Sequence, residues 1–161
     1  LVCKQARTMR DALIEIDPEG GEVYRAGCRA FIEDLEALDA ELKEALAPLK
    51  GRSLLVFHPA YGYFADAYGL EQKAIEAGGK APTGKQLARI IQLARNEHAR
   101  VLFVQPQFDQ SSARAVAEAI GGAVVPLDPL AHDYLANMRN MADKVATALG
   151  TRRAPEAEEQ E

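Results

Sequence analysis

What this chain lacks narrows it first. No apolar run approaches the ~18 residues of a membrane-spanning helix. Basic charge is not in excess. The formal net charge is -5, which disfavours nonspecific nucleic-acid binding. Only two cysteines occur, Cys3 and Cys28, and they form neither metal spacing nor a disulfide framework. They read as small core residues and leave the compartment open. There is no phosphate-binding glycine-rich loop, no Gly-x-Ser-x-Gly elbow, no HExxH and no Cys-x-x-Cys. No nucleophile stands beside a base. These absences argue against an enzyme.

What is present suits one domain, or one lobe of a larger protein, at 161 residues. Leu1-Val2-Cys3-Lys4 has no initiator Met and no signal peptide, and falls straight into helical periodicity. The expectation is a chain cut from something longer.

Val2, Ala6, Met9, Leu13 and Ile16 share one helical face, and Asp17-Pro18 stops that helix. Glu19-Gly20-Gly21 is a turn. A long helix is expected from Glu22 to Ala47, with Phe31, Leu35, Leu38, Leu42 and Leu46 on its apolar face. Glu33, Asp34, Glu36, Asp39, Glu41 and Glu44 fill its solvated face. It would span on the order of 40 Å, long enough for a strut between two lobes.

After Pro48 and Gly51 the pattern turns to alternating strands and helices. Strands are expected at Ser53–Phe57, Gln72–Glu76, Val101–Val104 and Ala123–Leu127. Helices are expected at Ala60–Tyr68, Gly84–Glu97, Ala113–Ile120 and Asp133–Leu149. Pro59 suits the first turn of its helix, Gly69 a left-handed cap, and Thr83 an N-cap. Gly78 to Pro82 reads as a loop. Pro126 belongs at a strand terminus or on an edge strand. The tail Arg152–Glu161 is polar and expected to be disordered. The fold class is therefore α/β: a four-stranded parallel sheet with helices on both faces, preceded by a short helix and a long linker helix. The expected divisions are 1–50, 51–150 and 151–161.

In such a sheet the strands' carboxyl ends share one edge, where ligands bind. That edge receives His58, Glu76, Gln105 and Asp128. An imidazole and a carboxylate from different strands make half a site for a divalent ion taking N and O ligands. Two blander readings stand beside this one. His58 can be a structural hydrogen-bonding residue, and Asp128 a turn residue before Pro129. His98, at a helix end, and His132, at a helix start, read as surface residues. Tyr61, Tyr63, Phe64 and Tyr68 read mostly as packing, with Tyr61 or Tyr63 open to lining a cleft.

The stretch Phe57-His58-Pro59-Ala60-Tyr61-Gly62-Tyr63-Phe64-Ala65-Asp66-Ala67-Tyr68-Gly69-Leu70 resembles a metal-ligand motif of the zinc/manganese-binding proteins of ABC importers, the ZnuA/TroA-like family. Further matches follow in the family's order. They are Ala12 to Pro18, Tyr24 to Leu38, Pro82 to Leu87, Phe103 to Phe108, and Val125-Pro126-Leu127-Asp128-Pro129-Leu130. Together they cover about residues 2 to 149. Cys28 departs from the Asn usual there, which touches a helix contact and not the metal site.

The resemblance implies two α/β lobes joined by a rigid helix, with the metal in the cleft. This chain would supply the linker helix and the C-terminal lobe, and His58 and Asp128 would be its metal ligands. Imidazole at position 58 favours zinc; manganese-type relatives more often carry Glu there, and manganese prefers oxygen ligands. The implied function is capture of zinc, or alternatively manganese, for an ABC transporter permease outside the cytoplasm, in the periplasm or its equivalent. The missing N-terminal lobe would bring the remaining ligands. The alternative is a small α/β enzyme lobe using His58 and Asp128 in acid–base or metal-assisted chemistry. Without the other lobe, the apolar stripe of the first helix is expected to make the fragment a homo-oligomer.

Overall fold

The computed structural model describes residues 1–75, 83–97, 99–107 and 110–150. Glu76, the expected loop 78–82, His98 and the tail lie outside the described residues. Two compact units are present, Leu1–Glu44 and a second from Ala45 onward.

The first unit is a pair of helices. Helix α1 runs Val2–Ile16 and ends before Asp17-Pro18. Helix α2 runs Gly21–Leu46 and continues past the unit boundary, followed by a short 3-10 turn at Ala47–Leu49. Asp17 builds the corner between them. Its Oδ2 accepts from the Tyr24 hydroxyl at 2.6 Å and its Oδ1 from the Gly20 N–H at 3.2 Å. Those two donors, the hydroxyl foremost, hold the Asp17 carboxyl below the usual carboxylate range. Leu35, Leu38, Leu42 and Leu46 are all buried, while Glu33, Asp34, Glu36, Glu41 and Glu44 are exposed, as the periodicity requires. Helix α1 behaves differently. Only Ala6 of its stripe is buried; Met9, Leu13 and Ile16 are exposed, as is Val23 on α2.

The second unit is the α/β layer. Strands β1 (Ser53–Val56), β2 (Glu71–Ala74), β3 (Val101–Val104) and β4 (Ala123–Pro126) form one parallel sheet in the order β2-β1-β3-β4. Helix α3 (Gly62–Ala67) links β1 to β2, α4 (Gly84–Asn96) links β2 to β3, and α5 (Ser111–Ala119) links β3 to β4. Helix α6 (Tyr134–Gly150) closes the unit. Chain direction across the sheet reverses after β2, so right-handed crossovers put α3 on one face and α4 with α5 on the other.

Burial follows from this. Leu55, Leu102 and Val104 pack with Ile90 and Ala94 of α4 and Ala113 and Val116 of α5. Leu54, Val56 and Phe103 alternate to the opposite face and are fully buried. A strand buried on both faces has no polar position to spare, which is why β1 and β3 read as continuous apolar runs.

Local chemistry sets the ends. Thr83 caps α4 in a full capping box with Gln86. Gly69 takes φ 71°, the left-handed value expected after α3. Asp133 Oδ1 accepts from the Ala136 N–H at 3.0 Å and so starts α6.

Helix α3 corrects one expectation. It begins at Gly62, not at Ala60, so Pro59 is not in its first turn. Instead the Ala60 N–H donates back to the His58 carbonyl at 2.9 Å, a three-residue turn centred on Pro59. Proline's fixed φ suits the centre of that turn. The expected second strand also shifts, ending at Ala74.

Candidate metal centre

His58 lies two residues past the end of β1, and Asp128 two residues past the end of β4. Both are half-buried. Between their strands runs β3, whose first residue beyond the strand is Gln105. The sheet order therefore brings the loops of the two expected ligands to one edge, on strands two spacings of ~4.8 Å apart across the sheet. The reversal of crossover direction falls between β1 and β3, the position where open α/β sheets form a crevice.

One side chain ties the two loops together. Tyr61, in the loop that carries His58, is only 2% exposed. Its hydroxyl donates to the Leu127 carbonyl at 2.5 Å, immediately before Asp128. Its backbone N–H donates to Gln72 Oε1 at 2.7 Å, anchoring the same loop to β2. Burial, and secondarily the negative charge of Asp128, push the Tyr61 hydroxyl pKa up, so it remains a donor. Of the two tyrosines expected near a cleft, Tyr61 is this internal tether and Tyr63 is exposed.

Asp128 is held by several partners. Its Oδ1 accepts from the Leu130 N–H at 2.9 Å and from Gln107 Nε2 at 2.7 Å. The Asn137 amide donates to its backbone carbonyl at 2.7 Å. The Leu130 N–H foremost, then the Gln107 amide and the nearby Lys144 charge, hold its carboxyl below the usual range. Asp128 is thus a positioned anion at neutral pH. The bond to Leu130 is also the turn geometry of the blander reading, so one carboxylate carries both.

Gln105 is buried, and among the described residues its Oε1 meets no hydrogen-bond partner. His132 is exposed, as expected of a surface residue. Among the described residues no group of three or more His, Cys, Asp or Glu converges to hold an ion. None of the described helices is long and apolar enough to cross a membrane. Sequence reasoning missed Tyr61's tether, Gln107 and Asn137. Their partners lie 66, 21 and 9 residues away, and no local pattern signals them.

Comparison with known proteins gives the relationship. The chain is similar to the high-affinity zinc uptake system protein ZnuA of Paracoccus denitrificans, 34% identical over 150 residues, covering 87% of this chain and 46% of that protein. It is also similar to the manganese-binding lipoprotein MntA of Halalkalibacterium halodurans, 27% identical over 124 residues, covering 74% of this chain and 41% of that one. A crystal structure of ZnuA superposes with a TM-score of 0.89 at 39% identity, covering 92% of this chain and 56% of that one. The chain thus spans about half the length of the proteins it matches. The family model for the zinc-uptake complex component A, periplasmic (ZnuA), matches residues 1–148, and the chain belongs to that family.

Proposed function

We propose that this chain is the linker helix and C-terminal lobe of a protein that captures zinc, with manganese as the alternative cargo, and passes it to an ABC transporter permease outside the cytoplasm. His58 supplies an imidazole nitrogen and Asp128 a carboxylate oxygen. The other ligands come from a lobe outside these residues. What supports this is that an imidazole and an ionised carboxylate stand on two loops at the carboxyl edge of one sheet, and that the Tyr61 hydroxyl joins those loops. A neutral imidazole with a carboxylate suits zinc better than an all-oxygen set would. The names of the matched relatives support both cargoes, and they describe uptake and binding, not a reaction. We therefore read the chain as a carrier that turns over no substrate.

The test is a zinc titration of the 161-residue chain followed by NMR. Zinc is expected to move the His58 ring resonances and those of Asp128 together, and His58→Ala is expected to abolish the response. A response confined to His132 or Cys3, or one that survives His58→Ala, rules the assignment out.

A further inference from the structure

Gln105 has no role in the site so far. It is only 7% exposed, yet among the described residues its Oε1 has no hydrogen-bond partner. A buried amide oxygen left unpaired is destabilising, so an unpaired one calls for a reason. Its place in the sheet supplies one. Val56 of β1 pairs with Phe103 of β3, and the Phe57 N–H donates to the Phe103 carbonyl at 2.8 Å. Two steps further along the same register stand His58 and Gln105. Two steps also restore side-chain parity, so both positions belong to the face that Val56 and Phe103 share. The buried acceptor therefore stands on the neighbouring strand at the same level of the sheet as the imidazole expected to take the ion.

From this we infer that Gln105 is a positioning residue for His58. Imidazole bound to a metal through one nitrogen keeps an N–H on the other and hands it to an oxygen acceptor, which fixes tautomer and ring orientation. Gln105 Oε1 is that acceptor. When zinc takes one ring nitrogen, the ring settles with its remaining N–H on Gln105. The unpaired oxygen is the half of a hydrogen bond whose donor is oriented by cargo. A buried neutral amide holds the ring without adding a negative charge to the site. This rests on the assignment of His58 as a ligand.

The experiment compares the wild-type chain with Gln105→Leu and Gln105→Glu, using zinc chloride as the probe and ¹⁵N spectra of the histidine rings as the readout. With zinc, the wild type is expected to show one His58 tautomer with a retained, slowly exchanging N–H. Gln105→Leu keeps the side-chain size and removes the acceptor. It is expected to lose that slow N–H and to weaken zinc binding by about 10–100-fold. Gln105→Glu restores an acceptor and is expected to recover both. An unchanged N–H and unchanged affinity in a folded Gln105→Leu overturn the inference while leaving His58 as a ligand. Zinc that leaves the wild-type His58 resonances unmoved overturns both. If Gln105→Leu does not fold, Gln105→Glu decides alone. A stronger acceptor must move the His58 N–H proton downfield, and an unmoved proton overturns the inference.

Discussion

The Tyr61 hydroxyl and the Leu127 carbonyl meet at 2.5 Å across 66 residues of chain. Tyr61 belongs to the His58 loop and Leu127 to the Asp128 loop, so this bond ties together the two loops that the sheet order already brings to one edge. Tyr61→Phe keeps the ring and deletes the donor, leaving a buried carbonyl unpaired. The expected loss of stability is ~1–3 kcal/mol, read as a lower urea midpoint with an unchanged slope. An unchanged midpoint would show that the carbonyl finds another donor.

The same tyrosine predicts a pH dependence. Burial and then the Asp128 charge raise its folded-state pKa above the ordinary value of about 10. The unfolded chain therefore releases this proton first. The contribution is fully present below about pH 10 and falls as pH rises through the folded value. The stability gap between wild type and Tyr61→Phe should shrink over that alkaline window. Urea unfolding at a series of pH values measures it; a gap that widens contradicts the sign.

Zinc binding by this chain alone is expected to be weak. Two protein ligands leave most of the ion's coordination to water, whereas structural sites use four. Calorimetry should give an affinity no tighter than micromolar, and Asp128→Asn should weaken it further. Submicromolar binding would mean that more of the site lies within these residues.

Gly122 marks where β4 leaves α5. A Cβ there would stand 2.5 Å from the Arg100 carbonyl oxygen, a backbone atom that cannot step aside. That same oxygen receives the Ala123 N–H at 2.8 Å and starts the β3–β4 pairing. Gly122→Ala should cost ~1–3 kcal/mol through overpacking. Thermal unfolding tests this, and a neutral result would mean that the strand slides without penalty.

The stripe on α1 predicts self-association. Met9, Leu13 and Ile16 are exposed together, and burying such a side chain is worth ~1.5–3 kcal/mol. Identical stripes pair about a two-fold axis. Sedimentation at micromolar concentration should show a dimer, and Leu13→Glu should return a monomer. A monomer in both would discard the pairing.

Much of this was legible in the chain, and the limits have physical causes. Strands β1 and β3 are apolar runs because both faces are buried, and Thr83 carries its capping box within three residues. That His58 and Asp128 share one edge was readable because parallel strand direction sends both loops there, while their reading as ligands came from the family resemblance. The start of α3 was misplaced because Pro59 looks like a helix opener. What keeps residues 59–61 out of the helix is remote: Gln72 takes the Tyr61 N–H and Leu127 takes its hydroxyl. Glu97 is similar. It binds Lys73 at 2.6 Å and Ser53 at 2.7 Å, joining the end of α4 to β2 and β1, and nothing near position 97 announces either partner.

Pro126 was expected at an edge or a strand terminus, and it is the last residue of β4, which is at the edge of the described sheet. The N–H groups of Ala123 and Leu127 point inward to β3. By alternation, positions 124 and 126 face outward. At 126 the missing N–H is one that no inner strand requires, and the carbonyl already accepts from Lys144 Nζ at 2.9 Å. Only Val124 still offers this flank a complete donor and acceptor. Such a flank is a poor template for recruiting a further strand, and the lysine adds a charge that a neighbouring sheet would have to desolvate. Fibrillar growth from the β4 side is thereby discouraged, and copies of this chain held at high concentration should meet through their helices and stay in solution.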